Sequence, residues 1–332
     1  MEAFESGPLR CDRLGQTTMR KLGLILVLLF PLSAAAEEPQ LLASLSPPGN
    51  SGVIHCLAFA ADGTTLAAGF SKAVHLWDTV GWKLRRTLPY GAMTLSLARD
   101  GRTLAIAPLH DYKALVLEVA TGRQRCNIRG NAAYEVSLSP DGRLLATAWE
   151  KLRLWEVASG KESAEVAGFT GPAYGLCFSP NGGLLAVGEY LRGVVVWDLA
   201  AGRRVAYVKG CPWGGELRFS ATGNTLVWQD SVNTIRTWDV KTRRDKRTLD
   251  AGDGVHIFTI AVNPDGIMVA FAGESVQERY VALVDAASGK ELLRLKHRLP
   301  SGAVAFSPDG KLLAVAGIDS TVRVWKLPQL RR

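Results

Sequence analysis

Seven times along the chain an apolar run stops at a tight-turn sequence and restarts at once as a second apolar run. The copies are FAADGTTLAAGF from Phe59, LARDGRTLAIAP from Leu97, LSPDGRLLATAW from Leu138 and FSPNGGLLAVGE from Phe178. FSATGNTLVWQD follows from Phe219, VNPDGIMVAFAG from Val262 and FSPDGKLLAVAG from Phe306. The turn glycines Gly63, Gly101, Gly142, Gly182, Gly223, Gly266 and Gly310 are spaced by 38, 41, 40, 41, 43 and 44 residues. Proline ends a strand by withholding a donor, and Asp-Gly tolerates the positive φ of a tight turn. Each copy therefore reads as a hairpin. A third β-branched or aromatic run follows, as in Thr321, Val322, Val324 and Trp325 around Arg323. A period of roughly 40–45 with several short strands per unit is the signature of a repeat architecture.

The third run ends alike in every copy: Trp77-Asp78, Leu117-Glu118, Trp155-Glu156, Trp197-Asp198, Trp238-Asp239, Val284-Asp285 and Trp325-Lys326. Between copies lie six further strand-like segments, at 83–88, 124–129, 162–167, 203–208, 243–249 and 291–296. The phasing and the Trp-acid endings resemble the WD-repeat β-propeller family over about residues 40–328. The resemblance implies an all-β, seven-bladed β-propeller with four antiparallel strands per blade. The last copy lacks a fourth strand, and LLASLS at 41–46 is free to supply it. The expected closure is therefore an N-terminal strand paired onto 321–326, which removes two open sheet edges.

The start of the chain reads differently. Arg20 and Lys21 precede an eleven-residue apolar stretch, 22–32, followed by Ser33-Ala34-Ala35-Ala36 and Glu37-Glu38. That is the layout of a secretory signal peptide. Eleven residues are too few to span about 30 Å of hydrocarbon as a helix, so no transmembrane segment is expected in the mature chain. The expected organisation is a leader over 1–36, with Met19 as a candidate true start, and one propeller over 37–332. The expected location is outside the cytoplasm, periplasmic or extracellular. The formal net charge is +8. A solubilising surface charge accounts for it more simply than an anionic partner. The basic run KTRRDKR at 241–247 reads as protection of an edge strand, so no nucleic acid is expected. Cys56, Cys126, Cys177 and Cys211 share no C-x-x-C spacing. Cys56 and Cys177 sit in apolar runs and read as buried free thiols, although the compartment would permit disulfides.

Well-formed repeats of the family that the chain resembles carry a His, a Ser/Thr, an Asp and a Trp hydrogen-bonded across one blade. The resemblance implies a three-member version in the last blade: His297, Asp319 and Trp325, with Val315 in the Ser/Thr place. Thr147 holds the hydroxyl position in the third blade, where Arg129 and Trp149 replace the His and Asp. Asn50 and Phe169 take the His place in the first and fourth blades. No G-x-S-x-G, P-loop or paired His spacing is present. His55, Glu135, Glu216 and Arg218 fall on innermost strands and could face a central channel, which leaves a channel-based hydrolase or a small-molecule or polymer binder as the alternative. No catalytic residue, metal or cofactor is assigned. The favoured expectation is a monomeric protein-interaction scaffold. In the family the outer-to-inner connections and the second-to-third-strand turns share one face. Those loops carry Tyr90, Trp149, Phe169, Tyr190, Arg192 and Trp213, residue types that make interface hot spots. The leader reading predicts that N-terminal sequencing of the natural protein starts at Glu37. An intact Met1 on a cytoplasmic protein overturns it.

Overall fold

The computed structural model describes residues 38–109, 113–128, 133–166, 169, 171–190, 192–210, 216–296 and 301–330. It contains seven four-stranded antiparallel sheets. Blade one is β2 (Ile54–Phe59), β3 (Thr65–Phe70), β4 (Val74–Asp78) and β5 (Leu84–Leu88). Blades two to six repeat that order. They are β6 to β9 (Thr94–Leu97, Thr103–Ala107, Leu115–Glu118, Gln124–Asn127), β10 to β13 (Glu135–Leu138, Leu144–Ala148, Leu152–Glu156, Glu162–Glu165) and β14 to β17 (Ala173–Phe178, Leu184–Glu189, Gly193–Asp198, Arg203–Lys209). β18 to β21 (Leu217–Phe219, Thr225–Gln229, Thr234–Asp239, Arg244–Asp250) and β22 to β25 (His256–Val262, Met268–Glu274, Arg279–Asp285, Glu291–Lys296) complete them. The first strand of each blade touches the first strands of its two neighbours, so these seven strands line the central channel.

The seventh blade takes its outer strand from the other end of the chain. Its order is β1 (Gln40–Leu45), β28 (Val322–Lys326), β27 (Leu312–Gly317) and β26 (Ser301–Phe306). Leu41 pairs with Trp325 and Leu45 with Val322. The expected non-covalent closure is present, one residue earlier than expected.

Each turn is held by its own side chains. Gly142 has φ 68°, and its N–H donates to Ser139 O at 2.8 Å. Ser139 Oγ donates to Asp141 Oδ1 at 2.6 Å and accepts Leu144 N–H at 2.9 Å. Ser307, Asp309 and Leu312 repeat the pattern at 2.6 and 2.9 Å. These bonds satisfy backbone groups that the hairpin leaves over and hold the Asp141 and Asp309 carboxyls below the usual range. The aspartate after Trp77, Trp197 and Trp238 does the same for the next turn. Asp78 accepts Gly81 N–H at 2.7 Å, and Asp239 accepts Thr242 N–H at 2.7 Å.

The core is distributed. Seven apolar clusters occur, one at each junction between adjacent blades. Side chains alternate across a strand, so one strand feeds two junctions. In β3, Leu66, Ala68 and Phe70 join the junction between blades seven and one, while Ala67 joins that between blades one and two. Both faces of the middle strands are therefore buried, which is why they read as continuous apolar runs. The tryptophans wedge each blade against the one before it. Trp77 lies between blades seven and one, Trp155 between two and three, and Trp238 between four and five. Deleting residues 37–47 removes β1 and strips Leu45 from its junction. The expected result is a melting temperature lower by several degrees and concentration-dependent aggregation through the bared edge of β28. A deletion variant as stable and as monodisperse as the parent refutes this closure.

Candidate functional site

Early in several channel-lining strands the register slips by one residue. The slips fall between Ile54 and Cys56, Ala173 and Leu176, Ile257 and Thr259, and Ser301 and Ala303. A bulge re-aims a side chain that would otherwise follow the pleat. The residues released are His55, Tyr174 with Gly175, Phe258 and Gly302, at the loop end of the channel. Phe258 is 38% exposed, and His256 stands edge-on to it at 4.8 Å.

On blades three and four the mouth is aromatic. Tyr134 lies 5.1 Å from Trp149 and 5.5 Å from Tyr174, and Tyr174 lies 5.2 Å from Tyr190. Backbone bonds fix these four rings from two blades. Tyr134 N–H donates to Ala148 O and Ala173 N–H to Trp149 O, each at 3.1 Å, and Tyr190 N–H donates to Pro172 O at 3.0 Å. All four residues are half-buried. Arg192, two residues past Tyr190, is exposed, and its carbonyl accepts Tyr207 Oη–H at 2.7 Å.

Of the loop residues expected on this face, Trp149 and Tyr190 are brought together at the junction of blades three and four through Tyr174, and Arg192 is exposed on the loop that carries Tyr190. Tyr90 and Phe169 are not part of that cluster. Tyr90 packs on the core between blades one and two, and Phe169 on that between three and four, so each caps its own junction. Trp213 lies outside the described residues. Tyr134 and Tyr174 are not loop residues of the kind expected on this face, because both stand at inner strands. The signal was a position: each is four residues before the strand end, at Leu138 and Phe178, as His55 is before Phe59 and Phe258 before Val262.

Deeper in the channel are the polar groups. Arg218 Nη2 meets Glu216 Oε1 at 3.2 Å within one blade, so these two form a pair rather than separate lumen groups. Glu216 Oε2 also reaches blade six, accepting Thr259 Oγ1–H at 2.6 Å and Ile260 N–H at 2.8 Å. Ser96 and Ser137 play a similar bridging part, accepting Leu138 N–H at 2.9 Å and Phe178 N–H at 3.2 Å across blades. Burial pushes the Glu135 carboxyl up to about 8, against the opposing pull of Arg218, so it is mostly uncharged at neutral pH. Cys56, Cys126 and Cys177 are free thiols, and burial raises the Cys177 thiol to about 12. Cys211 lies outside the described residues. Among the described residues no group of three His, Cys, Asp or Glu side chains could hold a metal ion.

The expected last-blade network lies only partly within the described residues. Asp319 is exposed, not buried, and its Oδ2 takes Arg323 Nη2–H at 2.6 Å. Trp325 Nε1 is buried without a hydrogen-bond partner among the described residues. His297 lies outside them. The reason is Val315: Trp155 Nε1 in blade three donates to Thr147 Oγ1 at 2.8 Å, and Val315 occupies the matching place opposite Arg323. A different buried network exists in blade one. His75 Nε2 meets Ser51 Oγ at 2.8 Å and its Nδ1 meets Thr87 Oγ1 at 2.9 Å, with its ring edge-on to Phe70. Both His75 and Ser51 are buried, so this pair ties a loop to two strands and is closed to substrate.

The chain matches the model of the WD domain, G-beta repeat, at residues 39–78, 160–198 and 290–326. Each match begins on or just before the outer strand of one blade and ends on the third strand of the next. Autophagy-related protein 16 of Arabidopsis thaliana is 24% identical over 282 residues, covering 79% of this chain and 53% of that protein. Protein groucho of Drosophila melanogaster is 25% identical over 208 residues, covering 61% of this chain and 28% of its own length. The chain thus spans about half or less of these relatives. A crystal structure of the Myceliophteria thermophila Cps50 (Swd1) β-propeller domain superimposes with a TM-score of 0.74 at 18% identity, over 87% of this chain and all of that domain.

The Val315 comparison generates a test with a definite sign. Thr147→Val leaves Trp155 Nε1 buried and unbonded, and should cost about 1–3 kcal/mol in denaturant unfolding. Val315→Thr supplies Trp325 with the missing acceptor at nearly the same volume, and should raise stability by about 1 kcal/mol. A loss in the second variant means its hydroxyl finds no partner, and the two blades are not equivalent there.

Proposed function

We propose that this WD-repeat propeller is a monomeric, non-catalytic protein-interaction scaffold that works outside the cytoplasm. Its docking surface is the channel-mouth face of blades three and four. The observation that carries the reading is the four-ring cluster of Tyr134, Trp149, Tyr174 and Tyr190, with Arg192 exposed on the loop that carries Tyr190. Aromatic rings give large contact area at low entropic cost, and arginine adds a bidentate anchor for a carboxylate. The similarity to Autophagy-related protein 16 and Protein groucho supports a propeller used for binding. The opposite face is built from hairpin turns whose amides are largely met by their own Ser, Asp and Asn side chains. Export rests on the leader pattern at 20–36 alone. A second reading, a ligand in the channel, is favoured only by Glu135 and the Glu216–Arg218 pair in the lumen.

The test is affinity capture from extract of the native host by wild type, Tyr190→Ala, Arg192→Ala and a Lys241→Glu, Arg244→Glu double variant, with captured proteins identified by mass spectrometry. Tyr190→Ala and Arg192→Ala should each weaken capture of the same partner by about 1 kcal/mol or more, with melting temperatures within about two degrees of wild type. The charge-reversed variant, altered on the exposed opposite side, should capture normally. Normal capture by the mouth variants together with loss in the charge-reversed one assigns the wrong surface.

A further inference from the structure

The seven blades act as controls for one another. On the hairpin-turn side, Arg86 of β5 crosses from blade one to blade two and donates Nη2–H to Ala120 O at 2.6 Å. Arg247 of β21 makes the same crossing from blade five to blade six, donating Nη1–H to Ala287 O at 3.1 Å. Each arginine also lies on the glycine of the turn it reaches. A Cβ added to Gly122 would stand 3.4 Å from Arg86 Cδ, and one added to Gly289 would stand 3.2 Å from Arg247 Nε. The slot has two parts: an outward carbonyl and a turn glycine at positive φ that leaves room for a flat guanidinium.

Blade three presents the same slot. Gly160 has φ 68°, against 74° for Gly122 and 73° for Gly289. Gly160 N–H donates to Glu156 O at 2.8 Å, as Gly122 does to Glu118 O and Gly289 to Asp285 O, both at 2.8 Å. Ala158 is the counterpart of Ala120 and Ala287, two residues past the acid. What differs is the strand that should cover it. Cys126 holds the place of Arg86 in β9, faces the same side, and packs on the core between blades two and three. Its side chain cannot cross the junction. A cavity of about 910 Å³ opens there, against 290 Å³ at the junction that Arg86 crosses.

The cavity is lined by Glu118, Asp141 and Glu156 as well as by Arg123, Arg125 and Arg143. Two of these arginines already have partners. Arg125 donates to Thr103 Oγ1 at 3.0 Å and stands 4.0 Å from Glu118, and Arg143 stands 3.8 Å from Asp141 with its side chain 87% exposed. The Glu156 carboxylate, next to the slot, receives the Ser159 hydroxyl at 3.0 Å and retains acceptor capacity for a cation. The other junctions carry Ala43, Ala164, Ala206 and Leu293 at this place. Ala43, Ala206 and Leu293 pack into their own junction cores. Ala164 is exposed, and there Asn181 replaces the Asp141 equivalent, which leaves one carboxylate fewer.

We propose that the groove between blades two and three is a binding site for an arginine side chain of a peptide or protein partner. The guanidinium takes the place that Arg86 and Arg247 fill at their own junctions, donating to Ala158 O with Glu156 beside it. This site is on the face opposite the aromatic mouth and does not depend on the function assigned to that mouth. Lysine is the wrong shape for it, because a compact ammonium neither stacks flat on the turn nor offers a fork of donors.

The probes are capped Gly-Arg-Gly, Gly-Lys-Gly and Gly-citrulline-Gly peptides, followed by amide shifts of the 156–160 turn in labelled protein. The arginine peptide should give saturable shifts below about 20 mM, with the lysine and citrulline peptides at least about tenfold weaker. Cys126→Arg fills the slot from within. It should raise the melting temperature and abolish the response to the arginine peptide. Glu156→Gln, which leaves the turn intact, should weaken that peptide at least about fivefold, and it decides the matter if Cys126→Arg fails to fold. No saturable shift in the wild type, equal response to all three peptides, or undiminished binding in either folded variant overturns the proposal.

Discussion

Ring closure is the constraint on which the rest of the structure depends. Every blade is a sheet with both faces apolar, so none can be stable without a neighbour on each side. In a ring that condition is met everywhere except at the seam. There β1 from the start of the chain hydrogen-bonds β28 from its end, and Leu45 enters a junction core with Ile54, Phe70, Trp77 and Val322. The seam is therefore a junction like the other six. Sequence repeats and structural blades are out of step by one strand, so unpairing the seam unmakes a blade as well as a contact.

Once the ring is closed, its two faces are left with different duties. The hairpin face is largely solved by local chemistry: Asp and Ser side chains meet turn amides, and the aspartate after Trp77, Trp197 and Trp238 meets the next turn. The mouth face has no such rule. Bulges in the channel strands turn His55, Tyr174 and Phe258 out of the pleat, and loops of unequal length deliver Trp149, Tyr190 and Arg192. Variation is concentrated where the repeat stops dictating conformation, and that is where binding residues gather. The groove between blades two and three shows the converse. On the regular face, a cysteine at the place that Arg86 and Arg247 fill at two other junctions leaves a groove open.

Between the blades the same logic explains the polar groups of the channel. Ser96, Ser137 and Glu216 each satisfy an amide of the next blade's inner strand, so the inner ring is stitched by side chains where no backbone ladder runs between sheets. Glu135 lies in the lumen without the close cation that Glu216 has in Arg218, and burial is the largest influence on its ionisation.

The phase of the seven turns by itself determined blade number, strand order and the closing role of 41–46, because turn chemistry and side-chain alternation are local and repeat with the chain. It also marked Val315 as a break in the polar pattern, though not its consequence. Tertiary structure decided which groups meet. Trp325 is left without an acceptor, Asp319 turns outward to Arg323, and His75 finds Ser51 and Thr87. It also decided that Tyr134 and Tyr174, from the inner strands of two blades, complete a cluster with two loop residues. Those meetings depend on bulges, on inter-blade spacing and on which residue of the neighbouring blade is large or small. None of these is a property of any one repeat, so no reading along the chain could contain them.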